Sequence, residues 1–205
     1  MHKGVQWPTP SLKWPDDRKI CCTFRNACEA FRKSGRFRRS AKSPVNVSLL
    51  SQANDGGNVA IWRILDIFQR NDVTATIDVN GLAVQKWPEC IKALHEQGSE
   101  ITGHGTTNDL KLTELTPDQQ RDEIRPVSHI IREVTGSVPV GWVSPRQPLS
   151  FTPSLVARPH MAHAFEKMIQ SCTAHEDIVW FPTREELARH VPETTMQAED
   201  DTPPG

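Results

Sequence analysis

The sequence contains no tyrosine, no long hydrophobic segment and almost no net charge. No apolar run approaches the roughly 18 residues that a membrane span requires, and residues 1–19 hold no stretch typical of a signal peptide. Lys and Arg number 24 against 25 Asp and Glu, so the net charge of -1 produces no field that would attract nucleic acid or anionic lipid. These absences predict a soluble, cytoplasmic protein that binds neither nucleic acid nor membranes.

Cysteine is present, but not in the pattern of a secreted protein. The five cysteines are odd in number and irregularly spaced, unlike the even framework of disulfide-stapled domains. We therefore expect reduced thiols. His160 with His163, and Cys172 with His175, have the spacing of zinc half-sites, although the polarity of a helix face explains both pairs more simply.

A chain of 205 residues is long enough for one domain, or two at most. We expect a single domain at residues 14–190, after an N-terminal extension at 1–13 and before an acidic, proline-containing tail at 191–205. The tail is predicted to be disordered. The basic stretch 32–44 is predicted to be a solvated loop, because no aromatic platform for nucleic acid accompanies it.

Hydrophobic periodicity predicts strands and helices that alternate five times along the chain. The predicted strands are 20–24, 73–79, 99–102, 138–143 and 177–181. The predicted helices have apolar faces at Ile61–Phe68, Val84–Leu94, Ile124–Val134 and Met161–Cys172, and a capping box at Thr183 opens a last one. This alternation favours an α/β fold with a mostly parallel sheet or barrel. Chemistry in such folds lies at the carboxyl ends of strands, here in the loops after Phe24, Val79, Thr102 and Val143.

The loop after Thr102 carries the strongest local signal, a histidine between two glycines at Gly103-His104-Gly105. A loop histidine has no helical face against which to pack, and the glycines let the backbone approach a ligand closely. We expect the ring of His104 to point inward, into a water-filled hollow. The alternative is a hydrogen-bonded core histidine without a catalytic role.

Several motifs in order resemble the polysaccharide deacetylases, which share the NodB homology domain. The motifs are Asp55–Phe68, Val73–Thr76, Val79–Gly81, Trp87–Glu89, Gly98–Asn108, Thr135–Gly136 and Pro139–Pro145. The C-terminal residues 157–190 are similar to the allantoinase-like branch, and the resemblance covers most of residues 14–190.

The resemblance implies a distorted (β/α) barrel that hydrolyses amide-type C–N bonds, in N-acetyl sugars or in ureides. In metal-using members two histidines and an aspartate hold a divalent ion, commonly zinc. His104 matches the first histidine, but Asn108 stands at the second, and no aspartate follows the first strand. A single matching ligand cannot fix the ion, so we expect no tightly bound metal. Glu29 matches a glutamate of the allantoinase-like branch, which leads us to predict it as general base beside His104. A solvated loop carboxylate beside the basic stretch is an equal alternative for Glu29.

The sequence also departs from the family. Val143 stands where an arginine would be expected, and Thr152-Pro153 stands in place of a late His-Pro motif. A family segment is missing near residues 147–157, so we expect an incomplete barrel whose exposed strand edges are covered or paired in a homo-oligomer.

Two hypotheses follow from these patterns. The first is a hydrolase for a small-molecule or carbohydrate substrate, with His104 and Glu29 catalytic and a substrate-binding set of Thr107, Asn108, Trp142 and Pro145. Core packing is an equal alternative for Trp142. The second hypothesis is an inactive or truncated deacetylase-fold protein that acts as a binding or oligomerisation module.

Overall fold

The computed structural model describes residues 13–33, 37–38, 40, 42–110, 112–145 and 159–191, with the side chains of 159 and 160 excepted. Most of the predicted N-terminal extension, nearly all of the predicted tail, the side chain of His160 and the Thr152-Pro153 dipeptide lie outside the described residues.

Short strands alternate with helices along the chain. The strands are β1 Ile20–Cys21, β2 Arg25–Cys28, β3 Thr76–Val79, β4 Glu100–Gly103 and β5 Val179–Trp180. The helices are α1 Val47–Asp55, α2 Ile61–Arg70, α3 Gly81–Lys86, α4 Pro88–Glu96, α5 Pro117–Thr135, α6 Pro159–Thr173 and α7 at residues 184–191. A π-helical segment, Gly56–Ala60, connects α1 to α2.

All the strand pairs are parallel among the residues that the structure describes. β2, β3 and β4 form one sheet in that order, and β1 pairs with β5 in a second. The two sheets meet where Phe24 stacks on Phe181, with ring centroids 5.7 Å apart. These strands do not close into a barrel, so the prediction of an α/β fold with an open, mostly parallel strand arrangement is confirmed.

The two faces of the three-stranded sheet differ in chemistry, because successive strand residues point to opposite sides. One face carries Cys28, Ile77, Val79 and Ile101 into the hydrophobic core that α2 and α4 cover. The other face is polar but equally buried, and its members include Asp78 at 0% exposure. The polar face leads directly to the end of the sheet where the candidate site lies.

Two strand predictions are wrong in position. The strand predicted at 20–24 is shorter than expected and consists of β1 alone. The strand that pairs with β3 is β2, which begins at Arg25, and Asp78 on β3 neutralises the charge of that arginine. The loop that we assigned after Phe24 therefore follows Cys28. The strand predicted at 138–143 is reduced to one bridge between Gly103 and Trp142, with Val138 and Val140 exposed to solvent.

The helix predictions hold where capping chemistry marks the ends. Thr116 caps α5 in a reciprocal capping box with Gln119, and Gly136 ends it with a positive φ of 79°. The helix continues through Pro126, which does not split it. The single helix predicted across 84–94 is instead two helices, α3 and α4, which are separated at Trp87 because Pro88 begins the second one.

Helix α6 buries part of its predicted apolar stripe. Ile169 is buried and Phe165 and Cys172 pack against the core, whereas Met161 and Met168 are more than two-fifths exposed. The predicted capping box at Thr183 is present, since the Thr183 amide donates to Glu186 and the Glu186 amide donates to the Thr183 hydroxyl.

Candidate active site

The register of the sheet brings Glu29 and His104 to the same edge. Cys28, Val79 and Gly103 are aligned across the three strands, so the next residues emerge together at the carboxyl ends. His104 Nε2 lies 2.9 Å from Glu29 Oε1. Both residues are buried, at 3% and 8% exposure respectively, so bulk water does not screen this contact strongly.

The imidazole of His104 is held in one orientation by the backbone. Its Nδ1 lies 2.8 Å from the carbonyl oxygen of Val143, and a carbonyl oxygen can only accept, so Nδ1 carries a hydrogen. Its main-chain N–H donates to Val79 at 2.9 Å. Nε2 is therefore the nitrogen that faces Glu29 Oε1.

Two opposing effects act on the pKa of His104. Burial disfavours the charged ring, but the hydrogen bond and negative charge of Glu29 outweigh it and raise the pKa above its usual value of 6.5. The Val143 carbonyl and the charge of Asp78 act in the same direction. Contact with Glu29 therefore favours the protonated form of the His104 ring more than water does.

Asn108 completes the contacts of the Glu29 carboxylate. Its side-chain N–H donates to Glu29 Oε1, the same oxygen that faces His104. Its carbonyl oxygen Oδ1 is buried and has no hydrogen-bond partner among the described residues. The amide thus orients Glu29 on one side and offers an unused acceptor on the other.

Both glycines beside His104 are required by close neighbours. A Cβ on Gly103 would lie 2.3 Å from the ring of Trp142, and one on Gly105, which has φ of 74°, would lie 2.6 Å from Pro145. Trp142 and Pro145 therefore pack over the His104 loop from the following segment. Trp142 Nε1 is buried, and no residue within the described ranges accepts a hydrogen bond from it.

Thr107 does not join this group by hydrogen bonds. Its hydroxyl is 3.3 Å from a carboxylate oxygen of Asp109, and the Asp109 amide donates back to it, so the described bonds of Thr107 stabilise the loop. Among the sequence-predicted site residues, the structure brings together Glu29, His104 and Asn108.

Asn80 is a positioning residue that sequence reasoning missed. It is fully buried, its Oδ1 accepts from the amides of Ala30 and Ala83, and its Nδ2 donates 2.8 Å to the Ala30 carbonyl. These bonds fix the turn that carries Glu29. The Asn80-Gly81 dipeptide indicates the end of a strand. The same position also suits a helix N-cap, and this second signal could have drawn attention to Asn80.

A buried ion pair lies on the polar face beneath the site. The carboxylate of Asp78 accepts hydrogen bonds from Arg25 and from the Thr102 hydroxyl, and Arg184 NH1 is 3.9 Å away. In the sequence, Asp78 is one of the polar residues that alternate with apolar ones along the predicted strand 73–79. The charge pattern of a single strand could not show that the opposite charge lies fifty-three residues earlier.

The hollow expected beside His104 is not one of three cavities that the described residues form. A cavity of about 380 Å³ is lined by residues that include Thr102, Trp142, Val143 and Arg184. The carbonyl of Val143 is also the one that lies 2.8 Å from His104 Nδ1. The other two lie near Ile131 and near Phe37. The His104 side chain is buried, and its two ring nitrogens contact Glu29 and the Val143 carbonyl.

The donor set does not fit the zinc ion of metal-using deacetylases. Zinc sites take three protein ligands from His, Cys, Asp or Glu. Within the described ranges, no three such side chains lie close enough together to hold a metal ion. Nε2 of His104 faces Glu29, and Asp78 is engaged by Arg25, so neither is available to such a site.

No helix in the part of the chain that the structure describes is long and apolar enough to span a membrane.

Comparisons with known proteins identify the relatives of this chain. A family model described as polysaccharide deacetylase matches residues 48–152, which include His104 and Asn108 but not Glu29. The peptidoglycan deacetylase of Helicobacter pylori is 27% identical over 96 residues, covering 47% of this chain and 32% of that protein. The match therefore spans about a third of the length of this curated relative.

Solved structures share the fold at low sequence identity. A probable polysaccharide deacetylase from Pseudomonas aeruginosa PAO1 superposes with a TM-score of 0.75 at 21% identity, covering 91% of this chain and 95% of that one. The PuuE allantoinase superposes with a TM-score of 0.73 at 20% identity, covering 91% and 94%. With the family model matching just over half of the sequence and the fold agreeing, this chain belongs to the polysaccharide deacetylase family.

Proposed function

We propose that the protein hydrolyses a non-peptide amide C–N bond, in a small N-acetyl or ureide substrate, with Glu29 and His104 as the proton-transfer pair. The observation that carries this proposal is the buried contact of 2.9 Å between His104 Nε2 and Glu29 Oε1 at the carboxyl edge of the sheet. A carboxylate base next to an acid of raised pKa is the arrangement that general acid–base hydrolysis requires. Family membership supports the C–N bond as the target.

The two carboxylate oxygens of Glu29 take different parts. Oε1 is occupied by His104 and Asn108, which leaves Oε2 as the oxygen that removes a proton from the attacking water. The water oxygen then bonds to the substrate carbonyl carbon, and negative charge develops on the carbonyl oxygen. Asn108 and His104 hold the carboxylate in place while this happens, so little reorganisation is needed.

His104 supplies the proton for the leaving nitrogen. The imidazolium gives up its Nε2 hydrogen as the C–N bond breaks, so the amine leaves neutral. Glu29, now protonated on Oε2, returns a proton to Nε2 through a water molecule once the products have left. The pair returns to its starting state, and Nδ1 stays bonded to Val143 throughout.

The proposed substrate contacts involve Asn108 and Trp142, each of which has a buried polar atom without a hydrogen-bond partner among the described residues. The free Oδ1 of Asn108 would accept an N–H of the substrate, and Trp142, which lines the cavity near Val143, would form an apolar wall. Since the donor set does not fit zinc, the proposed reaction uses water activated by Glu29 and no bound metal.

The test is hydrolysis of N-acetylated sugars and of allantoin by the full chain, with and without a chelator. We expect turnover that the chelator does not change, and a loss of about 10²- to 10⁴-fold in His104→Ala. His129→Ala, which removes an exposed histidine paired with Glu133 on α5, is the matched control and should keep full activity. Turnover abolished by the chelator and restored by zinc, or retained in His104→Ala, would contradict the proposal.

A second candidate function is binding without catalysis. It is favoured by the departures from the family pattern at the site, where Asn108 and Val143 stand in place of a histidine and an arginine. Calorimetric binding of an N-acetyl sugar or ureide with no hydrolysis over long incubation would support this candidate over the first.

A further inference from the structure

A basic segment begins at the carboxyl edge of the sheet, just after the proposed general base. Residues 32–42 contain six Lys and Arg and no Asp or Glu, although the whole chain is almost neutral. Arg32 follows Glu29 by three residues, so their Cα atoms are at most about 11 Å apart. The hydrogen bonds between Asn80 and Ala30 hold the start of this segment at the end of the sheet. Positive charge therefore begins beside the candidate active site.

Four cations of this segment, Arg32, Lys33, Arg38 and Lys42, are described by the structure and are called the basic cluster below. All four are exposed, and none forms an ion pair with an Asp or Glu within the described ranges. The Arg38 guanidinium donates to the Ser43 carbonyl at 3.2 Å, which orients the group without neutralising its charge. Other arginines do face a carboxylate, namely Arg25, Arg70, Arg121, Arg184 and Arg189. The charges of the basic cluster thus remain available to an anion from outside the chain.

A cavity of about 620 Å³ lies against the basic cluster, within the size range of sites that hold small ligands. Among the described residues that line it, Arg38 is the only charged one, and Ser43 and Asn46 supply neutral polar groups. The wall of the cavity is fixed, because the Asn46 amide donates to the Phe37 carbonyl at 2.6 Å and the buried Phe37 ring packs edge-on against Phe31. A guanidinium in the wall of a hollow that has no described acid favours an anionic ligand.

We propose that the basic cluster binds carboxylate groups of the substrate, which is an acidic oligosaccharide that also carries N-acetyl groups. This inference rests on the proposed hydrolysis at Glu29 and His104, and it names the substrate class of that site. The Arg38 guanidinium binds a carboxylate through paired hydrogen bonds, and the other three cations add their field. An oligosaccharide contacts the basic cluster with one sugar and the catalytic pair with another.

The aromatic residues of the segment disfavour nucleic acid as the ligand. Proteins that bind single strands stack the bases on accessible aromatic rings. Phe37 is 3% exposed and Phe31 is half-buried against it, so the described part of the segment offers no exposed ring. A few cations beside a cavity suit the carboxylates of a short glycan.

The experiment compares two dye-labelled hexasaccharides by fluorescence anisotropy on the full chain. A hyaluronan hexasaccharide alternates N-acetylglucosamine with a carboxylated sugar, whereas a chitin hexamer carries N-acetylglucosamine alone and has no charge. We expect the hyaluronan hexasaccharide to bind about tenfold more tightly, because each exposed cation adds a modest attraction. Raising the ionic strength from about 0.1 M to about 1 M, which shortens the Debye length from about 10 to about 3 Å, should remove most of this preference.

Two variants of equal net charge assign the preference to one surface. The first combines four substitutions in the basic cluster, and it should bind both hexasaccharides equally: Arg32→Gln, Lys33→Gln, Arg38→Gln and Lys42→Gln. The matched control removes four exposed cations from α4, α5 and α6, and it should keep the preference: Lys92→Gln, Arg125→Gln, Arg132→Gln and Lys167→Gln. All the replaced side chains are exposed, so neither variant disturbs the core.

The outcomes separate this inference from the proposed reaction. Equal affinity of the wild type for the two hexasaccharides, a preference that survives in the first variant, or a preference lost in the control would overturn the inference. Displacement of the hyaluronan hexasaccharide by a lower concentration of oligothymidylate would assign the basic cluster to nucleic acid and overturn it as well. A preference without turnover of any N-acetyl substrate supports the carboxylate site and contradicts the hydrolysis alone. Turnover without a preference contradicts the carboxylate site alone.

Discussion

Glu29→Gln is expected to lower kcat on the order of 10³-fold, with little change in the folded structure. The glutamine carbonyl can still accept the hydrogen bonds that Oε1 accepts from His104 and Asn108. It cannot remove a proton from water, and it cannot return one to Nε2. The loss should therefore fall on kcat rather than on KM, as steady-state kinetics on the best substrate of the panel would measure.

The chain offers a matched control for this variant. His129 and Glu133 form a pair of the same two residue types on α5, with Nε2 and Oε1 3.3 Å apart and both side chains more than half exposed. Glu133→Gln should leave kcat unchanged. Equal activity in Glu29→Gln and Glu133→Gln would show that the buried pair does not carry out proton transfer.

Arg25→Met is expected to lower the free energy of unfolding by about 3 to 5 kcal/mol. The Asp78 side chain is completely buried and depends on Arg25 and on the Thr102 hydroxyl for its hydrogen bonds. Arg184 is 3.9 Å away and two-fifths exposed, so it cannot replace Arg25. Methionine fills similar space but leaves the carboxylate buried without its ion-pair partner. Urea denaturation of both proteins measures the difference.

Two further variants separate charge burial from general damage. Arg25→Met combined with Asp78→Leu removes both charges and should recover most of the lost stability. Arg121→Met breaks an exposed ion pair with Asp118 and should cost less than about 1 kcal/mol. If Arg25→Met costs no more than Arg121→Met, Asp78 is not held as a buried anion.

Local chemistry predicted the elements whose ends are marked by specific side chains. Thr116 and Gly136 defined both ends of α5, because capping and the left-handed conformation are properties of a few adjacent residues. The alternation around Ile77 predicted β3, whose apolar side does enter the core.

Non-local pairing explains the elements that were misplaced. Arg25 and Asn26 do not look like strand residues, but Arg25 is neutralised across the sheet by Asp78. Val138 and Val140 have the composition of a strand, yet they are exposed because the chain pairs with β4 only at Trp142. Neither outcome depends on the residues next to them in sequence.

The candidate site divides in the same way. His104 was predicted because glycines flank it, and those glycines are explained by Trp142 and Pro145 lying against them. The roles of Asn80 and Val143 could not be predicted from the sequence. Asn80 holds a turn that lies fifty residues earlier in the chain, and Val143 binds His104 through its backbone oxygen, which every residue type has.

The most direct test of the account is a pH titration of the ring nitrogens of His104 by NMR, in the wild type and in Glu29→Gln. We expect Nδ1 to stay protonated, and Nε2 to lose its proton only above the ordinary pKa of 6.5, because the Glu29 carboxylate stabilises the imidazolium. Removing that carboxylate should shift the loss of the proton to lower pH. An unchanged titration in Glu29→Gln, or a wild-type ring that is neutral well below pH 6.5, would contradict the shared proton on which the proposed reaction depends.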